Sequence, residues 1–293
     1  MEMHDDEVSI DAGLVARLLA EQVPRLSDLP LTKVRSTGTV NAVYRIGDHL
    51  AARLPRVERW APDLSRELTW LPTLAPQLAL QVPHPVFTGA ATDYYPLPWA
   101  VYDWIDGASY ADDLVDDEVR AAGELAQFVT ELRRVDPHGA PPAGRRPLRE
   151  LDEVTRAAIT ASAGVIDSTA ATAAWDDALG ARGWRGDPVW IHADLLPPNI
   201  LVDRGRLRAV IDWGGAGVGD PAADVIAAWS VFLAPGRRAF REALDVDDDT
   251  WNRARGFALH QAAIIIPYYR HSNPDFVTMA ARTIREIVAS RRG

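Results

Sequence analysis

Asp194 stands five residues ahead of Asn199 in the stretch WIHADLLPPNIL, residues 190–201. A carboxylate and an amide at that spacing, between two apolar runs and beside two prolines, suit a tight loop. Phosphoryl transfer asks a protein for little covalent help. It needs a base or hydrogen-bond acceptor at the attacking hydroxyl and cations around the phosphates. Asp194 can accept the hydroxyl proton while Asn199 turns back to a magnesium ion. Asp212, just after the apolar run AVI, can take the same ion from the other side. Oxygen ligands of this kind suit magnesium, which keeps several waters and bridges phosphates.

Periodicity outlines the elements that must carry these residues. Ile10, Leu14, Val15, Leu18 and Leu19 share one helical face, with Asp11 in the first turn. Strand-like runs follow at 31–36, 42–46 and 49–54, the last two joined by a hairpin signal, Gly47-Asp48. Residues 62–75 start as a helix at Pro62-Asp63, and Pro72 predicts a kink or break. Two more strand-like runs lie at 85–89 and 98–105. Helical spacing then dominates: 116–134, with Val119, Ala122, Leu125, Phe128, Val129 and Leu132 on one face, then 149–162 and 169–182. The Pro/Gly/Arg stretch PHGAPPAGRRP, 137–147, reads as a surface connection. Beyond the loop, 207–213 reads as a strand and the remainder as helix. Strands early and helices late predict an α+β fold, a small sheet-containing lobe and a larger helical one.

Composition narrows the function. Among 293 residues, 41 acidic against 31 basic leave a net charge of −10, which argues against a nucleic-acid partner. There is no cysteine, so disulfides and thiolate chemistry are excluded. The acidic start, MEMHDDEVSID, lacks the basic and apolar regions of a signal peptide. No apolar run is long enough to span a membrane. A soluble, cytoplasmic protein is expected. Asp245, Asp247 and Asp249 mimic the start of a calcium loop. However, Thr250 replaces the turn glycine and Gly256 stands where the bidentate glutamate belongs, so an acid-rich helix start is expected instead.

His192-Ala193-Asp194-Leu195, Asn199 and Leu201, Ile211-Asp212-Trp213, Gly219-Asp220-Pro221 and Asp224 together resemble the aminoglycoside phosphotransferase family of kinase-like enzymes. That family includes macrolide kinases and other small-molecule hydroxyl kinases. The resemblance covers nearly the whole chain. It implies a two-lobed protein-kinase-like fold, with a small antiparallel-sheet N-lobe over 1–103 and a mainly helical C-lobe over 104–293. It further implies Asp194 as catalytic base, Asn199 and Asp212 as magnesium ligands, and His192, Asp220 and Asp224 as braces of the loop. Tyr102 to Asp106 would form the hinge, with backbone groups of Asp103 and Ile105 meeting the base of ATP or GTP. STGTVNA, 36–42, would cover the phosphates, with Thr39 and Asn41 among its hydrogen-bond donors.

One departure from the family pattern falls on the third strand. The family places a lysine there, paired with a glutamate on the following helix. This chain reads HLAARLPR, with Arg53 at that place and Glu67 as candidate partner. Lys33 is the only lysine in the chain and lies a strand too early. Arginine keeps its charge and grips phosphate in a fork. Two functional readings follow: a magnesium-dependent kinase that phosphorylates a hydroxyl of an antibiotic, or a nucleotide-binding pseudokinase that regulates a partner. The acceptor stays open between aminoglycoside-like, macrolide and nucleoside compounds, and the oligomeric state is not encoded.

Overall fold

Asp11 caps the first helix by accepting a hydrogen bond from the Leu14 N–H at 2.8 Å. The computed structural model describes residues 7–34 and 40–291. The chain divides into two units, 1–76 with 81–106, and 77–80 with 107–293.

In the first unit, helix α1 (Ala12–Gln22) buries Val15, Leu18 and Leu19 against a five-stranded sheet. The strands are β1 (Leu31–Lys33), β2 (Asn41–Ile46), β3 (Leu50–Pro55), β4 (Pro85–Gly89) and β5 (Trp99–Asp103), in the order β1-β2-β3-β5-β4. Every neighbouring pair is antiparallel. Tyr44, Ile46, Ala52, Leu54 and Val101 supply the sheet side of the core. Gly89 is required where it stands, because a Cβ there would lie 2.0 Å from Nε1 of the buried Trp99. Helix α2 (Ala61–Leu74) follows β3 and carries Glu67. The break expected at Pro72 does not occur; the helix runs through it to Leu74. Pro72 lies in the final turn, so its missing N–H removes one bond and little helix remains to redirect. Of the expected phosphate-covering turn, 36–42, residues 36–39, Thr39 among them, lie outside the described residues, while Asn41 opens β2.

The second unit opens with β6 (Ala108–Ser109) and α3 (Glu118–Arg134). On α3 the residues Ala122, Leu125, Phe128, Val129 and Leu132 are buried, but Val119 is 51% exposed in the first turn. Helices α4 (Asp152–Ala161) and α5 (Ser168–Leu179) precede β7 (Val189–Ile191). Next comes a hairpin of β8 (Ile200–Asp203) and β9 (Arg206–Val210). Its turn residues Arg204 and Gly205 have φ of 49° and 76°, the left-handed pair that matches strand twist in a two-residue turn. The stretch after β9 is not wholly helical. A strand β10 (Gly217–Gly219) returns antiparallel to β7.

Four helices complete this unit: α6 (Ala227–Ser230), α7 (Ala234–Leu244), α8 (Asp248–Tyr269) and α9 (Pro274–Ala289). Helix α8 packs on α4, α5 and α9. Asp247 caps α8 by accepting from the Thr250 N–H at 2.6 Å, so the acidic run is a helix start. The segment 137–147 is more than a surface connection. Ala143 N–H donates to Val218 at 3.0 Å, Val218 N–H donates to Pro141 at 2.8 Å, and Gly144 N–H donates to Gly215 at 3.0 Å. Backbone groups of a Pro/Gly stretch find few local partners, Ala140 N–H to Pro137 being one, and pairing with β10 satisfies others.

Candidate active site

Strand β7 ends at Ile191 and delivers the loop that carries His192, Ala193 and Asp194. Ala193 has φ of 69°, a left-handed conformation that costs a non-glycine residue. The cost is offset by Asp224, whose two oxygens accept from the N–H of His192 at 2.9 Å and of Ala193 at 2.8 Å. Asp224 is fully buried, and burial raises its carboxyl against the pull of His192 and these two N–H groups. His192 Nε2 lies 3.1 Å from the Ile211 carbonyl, so it carries the proton and donates. Its Nδ1 is then an acceptor, and Asp194 N–H points at it from 3.3 Å. Burial holds His192 below its usual pKa, which favours this neutral form. The ring stands edge-on to Trp213 with centroids 4.8 Å apart.

Asp194 is held from several sides. Asn199 Nδ2 donates to its Oδ2 at 2.7 Å and to its main-chain oxygen at 2.9 Å. Gln261 of α8 donates from Nε2 to Oδ1. Arg145 Nη2 lies 3.8 Å from the same Oδ1, while Arg145 Nε donates to the Ala193 carbonyl at 2.8 Å. A third of the Asp194 side chain stays accessible. Its carboxyl is raised above the usual range, first by burial; Arg145 draws it down and nearby Asp212 pushes it up. Asp212 is itself left-handed, with φ of 67°. Asp220 does not reach the loop directly. It caps the turn at Pro221–Ala223 through Ala222 N–H and clamps Arg253 of α8, with Nε to Oδ2 at 2.7 Å.

The first unit gathers a different set. Arg53 on β3 puts Nη1 2.6 Å and 2.5 Å from the two oxygens of Glu67 on α2. The Glu67 side chain is fully buried and also accepts from Tyr102 Oη at 3.1 Å. With the Asn41 oxygen turned toward the guanidinium, it accepts from Arg53 Nε and Nη2 at 2.9 Å each. Asn41 therefore serves Arg53 through its oxygen. Lys33 is exposed on β1, 5.8 Å from the Tyr44 ring, and is not part of this cluster. Asp103 N–H is committed to the His84 carbonyl at 2.9 Å. Ile105 makes no backbone hydrogen bond among the described residues.

Comparison with known proteins decides what this arrangement belongs to. Residues 32–257 match the family model of the phosphotransferase enzyme family. The chain belongs to that family. Over 217 residues, 69% of this chain and 72% of the relative, it is 31% identical to an aminoglycoside 3'-phosphotransferase of Streptomyces fradiae. A 50-residue stretch is 44% identical to an uncharacterized protein of Bacillus subtilis (strain 168), over only 16% of that protein's length. In fold the chain is similar to the GDP complex of wild-type aminoglycoside 2'-phosphotransferase-IIIa. The TM-score is 0.74 at 19% identity, with 96% of this chain and all of that one covered. It is also similar to a macrolide 2'-phosphotransferase of Brachybacterium faecium, with TM-score 0.60 at 21% identity and coverage of 92% and 97%. The α+β, kinase-like architecture is thereby established. No described helix is long and apolar enough to cross a membrane.

In this member of the family a magnesium ion would find hard oxygen donors. Asn199 spends its Nδ2 on Asp194, which turns its Oδ1 away from that carboxylate. Asp212 lies close enough to Asp194 to act on it electrostatically. Among the described residues no group of three or more His, Asp or Glu is gathered for a metal. A magnesium ion that keeps its waters and shares phosphate oxygens needs only one or two protein ligands, so this donor set fits it.

Two residues of the candidate site are not marked by any sequence pattern. Arg145 comes from the Pro/Gly segment, which has no periodicity to mark it. Gln261 lies 67 residues beyond Asp194 on a helix whose apolar run draws attention to packing.

Proposed function

We propose that this chain is an ATP- or GTP-dependent O-phosphotransferase acting on a hydroxyl of a small molecule, with an antibiotic as the leading acceptor class. The observation that carries this reading is the seating of Asp194. Its carboxylate is fixed at Oδ2 by Asn199 and at Oδ1 by Gln261, on a loop locked by Asp224, and a third of it stays open. Such a carboxylate can hold an acceptor hydroxyl and take its proton as the phosphoryl group is attacked. The family match and the Streptomyces fradiae relative support the reaction class. Related folds bound to GDP, ADP or ATP support a nucleotide donor.

Asn199 and Asp212 would hold magnesium, which when bound offsets charge on the phosphates. His192, as a neutral hydrogen-bond relay, keeps the Asp194 main chain and the Ile211 turn in register. Asp224 and Asp220 brace the loop and α8 respectively. Residues 1–103 would be the nucleotide-binding lobe and 104–293 the catalytic and acceptor-binding lobe, with a hinge at 102–107. Asp103 and Ile105 would meet the base through the backbone. Arg53, oriented by Glu67 and Asn41, would supply the phosphate cation, with Thr39 covering the phosphates. The protein would act in the cytoplasm, where the donor is made, as a resistance or self-protection enzyme, with neither nucleic acid nor membrane as partner.

A regulatory pseudokinase is the second reading. The enclosure of Arg53 by Glu67 and Asn41 favours it, since a guanidinium so engaged has less to offer a phosphate. Incubation with magnesium and each nucleotide across a panel of hydroxyl-bearing antibiotics, read by mass spectrometry, separates the two. A phosphorylated product supports the enzyme; nucleotide binding without consumption supports the pseudokinase.

A further inference from the structure

A guanidinium, that of Arg145, stands beside Asp194. Arg145 is 12% exposed in its side chain, and its anchorage is one-sided. Its Nε is fixed to the Ala193 carbonyl at 2.8 Å. Its Nη groups donate no hydrogen bond among the described residues; their nearest charged neighbour is Asp194 Oδ1 at 3.8 Å. A largely buried guanidinium with unused donors is costly, and burial lowers its pKa against the pull of Asp194 and Asp224. The segment that delivers it is pinned by three backbone bonds to β10 and Gly215, so its position is built into the fold.

Asp194 and Asp224 pull on this guanidinium, and its other neighbours add no countercharge. Gln261, across Oδ1, is neutral. His260, beside it on α8, has a pKa lowered to about 4, first by burial and then by repulsion from Arg145 and Arg146. That repulsion places both arginines near the same turn of α8. His260 Nδ1 lies 2.7 Å from Thr155 Oγ1, whose own proton goes to the Leu151 carbonyl at 2.6 Å. His260 therefore donates from Nδ1 and stays neutral. Asp224 is turned to backbone N–H groups, and Asp220 is paired with Arg253.

We propose that the acceptor is a hydroxyl compound bearing an oxyanion, a carboxylate or phosphate group, next to the hydroxyl that is phosphorylated, and that Arg145 grips this oxyanion while polyamine acceptors are rejected. This rests on the reading of Asp194 as the seat of the accepting hydroxyl. A guanidinium presents parallel N–H donors that match a carboxylate or phosphate edge. An ammonium beside the same hydroxyl would be held near a like charge.

The test measures binding and turnover with the Mg-nucleotide-loaded protein and three probes: D-gluconate, D-glucose and kanamycin. The wild type is expected to favour gluconate over kanamycin. Arg145→Gln should cut that preference by about tenfold or more, through KM rather than kcat. Arg145→Lys should restore part of it, which separates charge recognition from a folding defect. Arg145→Glu should shift preference toward kanamycin. Kanamycin favoured by the wild type, no binding of gluconate, or a ratio unmoved by Arg145→Gln would each overturn the proposal. Failure of the phosphotransferase reading is seen separately, as magnesium-dependent nucleotide turnover that Asp194→Asn leaves intact.

Discussion

Gln261 of α8 donates its amide N–H to Oδ1 of Asp194, 67 residues earlier in the chain, while Asn199 donates to Oδ2 at 2.7 Å. One carboxylate is thus pinned by its own loop and by a helix from a later part of the fold. Among the described residues the Gln261 Oε1 is buried without a partner, and the amide is tied to Asp194 alone. Gln261→Ala should lower kcat by about tenfold, the loss of one hydrogen bond to a charged group. Nucleotide KM should hold. A change confined to nucleotide KM would show that Gln261 does not act through Asp194.

Arg53 and Lys33 make opposite predictions. Arg53 sits on the central strand β3 with Glu67 and Asn41, whereas Lys33 is exposed on the edge strand β1. Arg53→Ala should lower kcat/KM by about tenfold or more, and it also leaves the buried Glu67 charge uncompensated, which costs stability. Arg53→Lys should recover part of both losses. Lys33→Ala should be silent in nucleotide titrations and in melting temperature. A damaging Lys33→Ala with a silent Arg53→Ala would move the phosphate cation to another strand.

Asn199→Ala and Asp212→Ala should each raise the magnesium concentration required for half-maximal nucleotide use. Each removes one oxygen ligand from the ion. Titrating magnesium at fixed nucleotide reads this directly. Unchanged curves for both variants would remove the pair from the metal site.

His260 gives a stability prediction in acid. Its pKa falls from the ordinary 6.5 to about 4 in the folded chain. Between those values the unfolded chain binds the proton and the folded one does not, so stability drops as pH falls from 6.5 toward 4. The drop is at most about 3–4 kcal/mol, from 1.36 kcal/mol per pKa unit. The slope fades over about one pH unit above 6.5, as the unfolded chain also loses the proton. His260→Gln should flatten the wild-type curve in that window, measured by chemical denaturation at several pH values. Parallel curves would show that His260 is not buried neutral.

The candidate site was legible where its proposed chemistry depends on residue type at fixed local spacing. Asp194, Asn199 and Asp212 lie on one loop and hairpin, so order along the chain reveals them. The role of His192 depends on the distant Ile211 carbonyl, which spacing alone cannot place. Arg145 and Gln261 escaped because tertiary pairing brings them in: a Pro/Gly segment adds to β10, and α8 lays one polar residue of an apolar run against the loop. The same applied to the fold. The apolar face of α3 was readable except at Val119, where the first turn extends past the core. Pro72 looked like a break because local rules do not know that the helix is about to end. Strand β10 was hidden because a three-residue Gly-Val-Gly has no pattern of its own.

Asp194→Asn is the most direct measurement of the central claim. The substitution keeps shape but removes the charge that seats the acceptor hydroxyl. Calorimetry should show nucleotide binding close to wild type, and the melting temperature should hold. Phosphoryl transfer to the best acceptor in the hydroxyl panel should fall by about a hundredfold or more. Turnover near the wild-type rate, with binding intact, would contradict the account and remove Asp194 from the chemistry.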